Sequence, residues 1–264
     1  MTDTASDHAD DRHGDRAAQA RLTGRPLPDV TLRLADPPHE KIGSRAFVGS
    51  GRVALIGLPG AFTPTCTGLH VPRFEELADD LAQAGVSRIL CTAVNDAFVM
   101  DAWRHSLRTT RIEYAGDGNG DLHRALGLLR DMRDEGMGER ARRYTMLVRD
   151  GTIEKAWVEA DEAGDPFAVT TADVMLHHLR PDAHPLDVMV FTRPNCGWSR
   201  RALQALDAAH IPYRTAEVGP RGLRGVAGRQ TTPQVFVDGE HIGGCEDLEA
   251  WLRRRGAQDS RAPQ

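Results

Sequence analysis

The sequence predicts an α/β protein made of two domains joined by a short linker. Short apolar runs ending in turn residues alternate with stretches of helical spacing, which is the pattern of strands feeding helices. Two Asp-Gly pairs, Asp150-Gly151 and Asp238-Gly239, sit between strand-like segments as hairpin turns, one in each half. Pro181-Asp182-Ala183-His184-Pro185 separates the two blocks.

In the first block, Arg52-Val53-Ala54-Leu55-Ile56-Gly57-Leu58 is a buried strand that runs into a loop at Pro59-Gly60. Beyond Cys66, residues Phe74, Leu77, Ala78 and Leu81 share one face and Glu75, Glu76, Asp79 and Asp80 the other. This predicts an amphipathic helix kinked at Pro72 and ended by Gly85. A second buried strand follows at 86–94, and Asn95-Asp96 opens a helix through Trp103 and Leu107. The Asp150-Gly151 hairpin and a helix over 170–179 complete an α/β sandwich.

The second block reads as strand 187–191, a loop with Cys196, helix 199–209, strand 211–218, the Asp238-Gly239 hairpin and helix 247–254. The expected boundaries are a disordered tail at 1–23, a first domain at 24–180, a linker at 181–186, a second domain at 187–256 and a tail at 257–264. A linker of about six residues reaches at most about 20 Å.

Composition narrows the class. The chain has 264 residues, 40% of them hydrophobic, enough for substantial cores. Mean hydropathy is −0.43, and no run approaches the roughly 18 apolar residues that cross a bilayer. The first 25 residues are rich in Asp, Ala, Arg and His and lack the apolar stretch of a secretory signal. A net charge of −5 and a pI near 6.1 give no basis for nucleic-acid binding. Four cysteines in a long chain without an export signal are expected as reduced thiols in the cytoplasm, catalytic or packed in a core.

Cys66 lies in Leu58-Pro59-Gly60-Ala61-Phe62-Thr63-Pro64-Thr65-Cys66. It follows a proline-containing turn and opens a helix, where N–H groups favour the thiolate. Thr63 brings a hydroxyl to the same spot, and Arg140, Arg142 and Arg143 offer a cation. A thiolate with a hydroxyl and a cation is the equipment for attack on an O–O bond. Pro59-x-x-x-Thr63-x-x-Cys66, with Val94-Asn95-Asp96-Ala97-Phe98-Val99 downstream, resembles the peroxiredoxin signature in its type-5 branch, over about residues 24–180. The resemblance implies that Cys66 is the peroxidatic nucleophile, Thr63 orients peroxide and Pro59 shields the thiolate. Arg143 matches the family's arginine, with its neighbour Arg142 as second candidate. Cys91, inside Ile89-Leu90-Cys91-Thr92-Ala93-Val94, reads as a core residue. Some type-5 members carry a resolving cysteine near the domain's end. Here residues 166–172 contain Thr170-Thr171 and no cysteine, so an outside thiol, glutathione or Cys196, must resolve the sulfenate.

Cys196 stands between a strand and a helix in Arg193-Pro194-Asn195-Cys196-Gly197-Trp198-Ser199, where the helix N-terminus and Arg193 favour a thiolate. Thr232-Pro233 before a strand is the place for a cis proline beside a thiol, and Gly243-Gly244-Cys245-Glu246-Asp247 brings N–H groups and acids to a helix start. Together these resemble glutaredoxin over about residues 187–256, so both domains are expected to be thioredoxin-like, a peroxiredoxin-type domain followed by a glutaredoxin-type one. By that resemblance Cys196 attacks glutathione mixed disulfides, and Thr232, beside Pro233, pairs with the cysteinyl part of glutathione. Arg193, Arg229 and Gln230 hold its glycine carboxylate, and Glu246 and Asp247 its γ-glutamyl end. Ser199 replaces the second cysteine of dithiol glutaredoxins, leaving the monothiol route; Cys245 is either a partner for a disulfide with Cys196 or a small spacer.

The function implied is a glutathione-dependent peroxidase for hydrogen peroxide and organic hydroperoxides, in which Cys196 removes glutathione from Cys66. Glutathione is then a co-substrate, with no tightly bound cofactor and no metal. Partners are hydroperoxides, glutathione, glutathione reductase at one remove, and further copies of the chain in a homo-oligomer, without nucleic acid or membrane. Two alternatives stay open: an iron–sulfur carrier built on Cys-Gly-x-Ser, and a peroxide sensor that relays oxidation to partner proteins. The eleven histidines show no metal-ligand spacing, His177-His178 reads as solvated or packed, and residues 116–121 read as a loop rather than a calcium site.

Overall fold

Strand β3 (Arg52–Leu58) is buried along nearly its whole length, as a continuous apolar run must be when both faces of a sheet are covered. It pairs in parallel with β4 (Arg88–Ala93) and antiparallel with β8 (Tyr144–Arg149). With β1 (Thr31–Leu34), β2 (Lys41–Gly43), β5 (Ile112–Gly116) and β9 (Thr152–Val158) they form a seven-stranded sheet of order β2-β1-β5-β4-β3-β8-β9. The computed structural model describes residues 14–162, 164–183, 185–209 and 211–259, and the chain divides into two compact units after Ala183.

Alternation along the strands creates two cores in the first unit. Ala54, Ile56, Leu58 and Cys91 face one layer, with α3 (Val71–Glu76), α4 (Ala78–Gln83), α5 (Ala97–Leu107) and α7 (Ala172–Leu179). Val53, Leu55 and Leu90 face the other, with α1 (Arg16–Leu22), α2 (Ser44–Val48) and α6 (Asp121–Leu126). A small ribbon of β6 (Leu129–Met132) and β7 (Gly138–Ala141) precedes β8. Asp150 and Gly151 both have positive φ, +50° and +77°, as a tight hairpin turn between β8 and β9 requires.

Three expectations for the first unit need correction. The tail expected at 1–23 contains α1, capped by the Asp15 carboxylate, which accepts from Ala18 N at 2.9 Å. Ala18 and Leu22, one turn apart, bury against the second core, a spacing hidden among charged neighbours; residues 1–13 lie outside those described. The single helix expected beyond Cys66 is instead a π-helical turn, Cys66–His70, followed by α3 and α4, which break at Leu77 (φ −92°, ψ 11°). Pro72 sits in the first turn of α3, where no N–H is needed, and so does not cause the break.

In the second unit, β10 (Val188–Thr192) pairs in parallel with β11 (Arg214–Glu217) and antiparallel with β12 (Gln234–Val237), and β13 (Glu240–Gly243) completes the order β11-β10-β12-β13. Helices α8 (Gly197–Ala208), α9 (Pro220–Ala227) and α10 (Cys245–Asp259) accompany the sheet. Its core joins Val188, Val190 and Val235 to Ala202 and Leu206 of α8 and Leu248 of α10. Helix α10 runs to Asp259, so the tail expected from 257 is helical over its first three residues; residues 260–264 are outside those described. β11 is shorter than the expected 211–218 because Ile211 and Tyr213 pack against the core before the strand begins.

Candidate active sites

Cys66 begins the π-helical turn and is 0% exposed. Extra-wide turns of this kind recur at functional sites because they re-aim side chains. The turn before it is held from two sides. Asn95, just ahead of α5, accepts from Ala61 N at 3.0 Å, and the Thr63 hydroxyl donates to the Gly60 carbonyl at 2.9 Å. Arg140 donates to the Val94 carbonyl at 3.1 Å and is therefore occupied in fixing the Asn95 loop.

Arg143 supplies the cation. Its Nη1 donates to Cys66 Sγ at 3.3 Å and also meets His70 Nδ1 at 3.2 Å. Its Nε donates to the Pro166 carbonyl at 3.2 Å, its Nη2 pairs with Asp165, and the guanidinium lies 5.5 Å from the Phe167 ring centre. Arg142 points elsewhere, to Asp15 at 2.9 Å and the Glu159 carbonyl at 2.8 Å. Pro59 lines a small concavity that Arg143, Glu159 and Asp165 share.

His70 was missed by sequence reasoning. It is fully buried, and its Nε2 lies 2.9 Å from the Thr170 carbonyl. A carbonyl only accepts, so Nε2 carries the proton and Nδ1 accepts from Arg143. Burial, reinforced by the Arg143 charge, pushes the His70 pKa down to about 3, so the ring stays neutral. The i,i+4 spacing from Cys66 to His70 is the signal that could have found it. Glu159 and the 165–170 segment were missed as well, and no local pattern marks them.

Cys91 is buried in β4, and burial pushes its thiol pKa well up. In the loop at 116–121 a buried acid gathers the backbone. Asp117 accepts from the N–H groups of Asp121, Leu122 and His123 at the start of α6 and pairs with His123 Nδ1 at 2.6 Å. His177 and His178 are exposed on α7, with His178 edge-on to Trp157.

In the second unit Cys196 is the N-cap of α8 and is partly exposed. The Thr232 hydroxyl donates to Cys196 Sγ at 3.3 Å, and Sγ lies 3.5 Å from the Thr232 carbonyl. The Thr232-Pro233 peptide is cis. The thiol pKa is lowered to about 7, first by the Ser199 hydroxyl, then by Thr232, with help from the N–H groups of Ser199 and Trp198; partial burial opposes them. The buried Ser199 oxygen makes no hydrogen bond of ordinary geometry to the described residues, which leaves it available to a thiolate. Arg193 Nη2 donates to the Gln230 carbonyl.

A cavity of about 560 Å³ opens beside this thiol and is lined by Arg193, Thr232, Pro233, Glu246 and Asp247. Trp198, half-exposed against Arg201, and Cys245 also line it. Asp247 caps its own helix by accepting from Gly244 N at 2.8 Å. Gly243 has φ +124°, and a Cβ there would stand 2.3 Å from Asp247 Oδ2, so glycine is needed for this approach. Arg229 and Gln230 do not line the cavity. Both are exposed in the stretch after Gly228 (φ +64°) turns the chain away from α9. All four cysteines are free thiols; Cys245 is buried, and burial raises its pKa.

Comparison with known proteins agrees with this geometry. The Redoxin family model matches residues 22–176 and the Glutaredoxin family model residues 188–242. The hybrid peroxiredoxin hyPrx5 of Haemophilus influenzae is 39% identical over 238 residues, covering 88% of this chain and 98% of that protein. The chain belongs to the hybrid peroxiredoxins. Within this hybrid peroxiredoxin the first unit is also similar to Peroxiredoxin-2B of Arabidopsis thaliana, 38% identical over 58% of the chain and 94% of the relative. Reduced Prx3 from Vibrio vulnificus, solved in complex with H2O2, superposes with a TM-score of 0.56 at 35% identity, over 60% of this chain and 97% of that one. The hybrid peroxiredoxin is thus an α/β, thioredoxin-like thiol peroxidase with a glutaredoxin domain behind it. Among the described residues no helix is long and apolar enough to cross a membrane, and no group of His, Cys, Asp and Glu side chains could hold a metal ion.

Proposed function

We propose that this thiol peroxidase reduces hydrogen peroxide and organic hydroperoxides at Cys66 with electrons from glutathione, and that Cys196 removes glutathione from Cys66. The Cys66 thiolate attacks one peroxide oxygen, the O–O bond breaks, and the leaving alkoxide or hydroxide takes a proton, giving Cys66 sulfenic acid and an alcohol or water. Arg143 stabilises the charge as it moves from sulfur to oxygen, Thr63 orients the peroxide and Pro59 shields the thiolate. Glutathione condenses with the sulfenic acid, releasing water. The Cys196 thiolate then takes the glutathionyl group and frees Cys66, and a second glutathione leaves as glutathione disulfide with the first.

The observation that carries the glutathione step is the state of Cys91. It is the other cysteine of the first unit, it is fully buried, and its raised pKa makes it a poor nucleophile, so the reducing thiol must come from outside that unit. The Cys196 cavity suits the tripeptide: Thr232 for its cysteinyl backbone, Arg193 for the glycine carboxylate, and the Glu246 N–H and Asp247 carboxylate for the γ-glutamyl end. The cycle needs reduced thiols, and the cytoplasm supplies them.

The test is NADPH oxidation coupled through glutathione reductase, with wild type, Cys66→Ser and Cys196→Ser. Loss of turnover in both variants supports the relay. Loss in Cys66→Ser alone means that free glutathione suffices, and no turnover in wild type removes glutathione as donor. Mixing the two variants tests action between copies, since recovered turnover requires Cys196 of one copy to serve Cys66 of another; its dependence on protein concentration separates a homo-oligomer from chance encounter.

A further inference from the structure

Glu159 follows β9 and is 1% exposed. One of its carboxylate oxygens, Oε1, accepts four hydrogen bonds: from Ala168 N, Val169 N and Thr170 N, each at 2.9 Å, and from the Thr170 hydroxyl at 2.7 Å. The other, Oε2, is buried without a partner among the described residues. The four donors belong to the segment 165–170, which has neither helix nor strand to satisfy its backbone. A buried backbone stretch of that kind needs its N–H groups paired, and here one side chain pairs three in succession.

The same segment supplies much of what holds the first active site. Asp165 pairs with Arg143 Nη2, and the Pro166 carbonyl accepts from Arg143 Nε. The Phe167 ring lies against both Arg143 and His70, and the Thr170 carbonyl fixes the His70 tautomer. The Glu159 carboxylate spends its hydrogen bonds on this segment and makes none to the Cys66 sulfur. The Glu159 backbone N–H donates to the Arg143 carbonyl at 3.0 Å, so it is anchored to the residue that carries the cation, just ahead of β8.

We propose that Glu159 is a positioning residue for the peroxide reaction: its carboxylate fastens the 165–170 strap, the strap aims the Arg143 guanidinium and the His70 ring, and these set the charge environment of Cys66 Sγ. The proposal rests on the reading of Cys66 as the peroxide-reacting thiol. Displacing a catalytic group by about 1 Å through a remote change costs on the order of 10²-fold in rate, so the strap has leverage out of proportion to its distance.

The experiment is a double-mutant cycle on the full chain, with the second-order rate of peroxide consumption read by stopped flow. Glu159→Ala is expected to lower the rate about 10–100-fold. Glu159→Gln keeps an oxygen for the four donors and puts its amide where Oε2 has no partner, so it is expected to stay within about threefold of wild type. In an Arg143→Gln background, Glu159→Ala should add less than about twofold, because residues that act through one another are not additive. Should Glu159→Ala fail to fold, Glu159→Asp, which draws the carboxylate back by one carbon, takes its place with the same pattern expected. An unchanged rate in the single variant, or an equal loss with and without Arg143, would overturn the proposal and leave the carboxylate a fastening of the loop alone. Failure of the underlying reading is seen separately, as peroxide consumption that survives Cys66→Ser.

Discussion

Arg143 Nη1 stands 3.3 Å from Cys66 Sγ, a contact between side chains 77 positions apart in the chain, one 3% and the other 0% exposed. The guanidinium spreads its planar fork over four partners: sulfur and His70 on one nitrogen, Asp165 on the second, the Pro166 carbonyl on the third. Lysine has a point charge and cannot span that set. Arg143→Gln is expected to slow peroxide reduction by about 10²–10³-fold, and Arg143→Lys by at least about tenfold, in stopped-flow assays. Near-normal rates in Arg143→Lys would show that charge alone suffices.

The Cys196 thiol offers a pH handle. With its pKa lowered to about 7, the thiolate is present above that value and lost below it. Alkylation by iodoacetamide should therefore rise with a midpoint near 7 in a Cys66→Ser background. Ser199→Ala removes the largest of the lowering influences and should move the midpoint up by roughly one unit. An unmoved midpoint would assign the effect to Thr232 and the helix terminus instead.

Stability should fall in mild acid because of His70. The unfolded chain takes a proton at about pH 6.5, whereas the folded ring refuses one until about 3. Between those limits the unfolded state binds the extra proton, and stability drops by about 1.4 kcal/mol for each pH unit lowered. From pH 7 to pH 5, wild type is expected to lose about 2 kcal/mol more than His70→Asn in urea unfolding. Parallel losses in the two proteins would mean that the ring is not held neutral.

Gly57→Ala tests the packing under the central strands. A Cβ on Gly57 would fall 2.0 Å from the Tyr144 ring, which crosses β3 at the position opposite it. Tyr144 is 0% exposed and has no room to retreat. The substitution is expected to cost roughly 3 kcal/mol, the upper range for overpacking, and to lower the melting temperature.

The two thiols were legible because each sits in a short contiguous motif whose chemistry depends on neighbours a few residues away. The β3 and β4 strands were legible because they are apolar on both faces, and the Asp-Gly turns because both residues must adopt positive φ. The surroundings of Arg143 were not legible. His70, Glu159, Asp165 and Phe167 meet only after β8 and β9 have paired beside β3, and nothing local distinguishes Glu159 from any other acid at a strand end. Helix α9 was overlooked although Pro220 and Gly228 mark its two ends, because its glycines and arginines give too little apolar spacing. Arg229 and Gln230 were placed at the second cavity by resemblance alone; both are exposed after the turn at Gly228, and the Gln230 carbonyl meets Arg193 of the cavity wall.

Complete burial of Cys66 leaves its sulfur without exposed surface, so peroxide and thiol alike meet it only when the residues around it move. The π-helical turn that carries Cys66 must therefore breathe before any bulky reductant arrives. At high reductant concentration the return of Cys66 to its starting state should level off at a ceiling set by that opening, so the clock of the cycle would be kept by the protein and not by its supply of thiol.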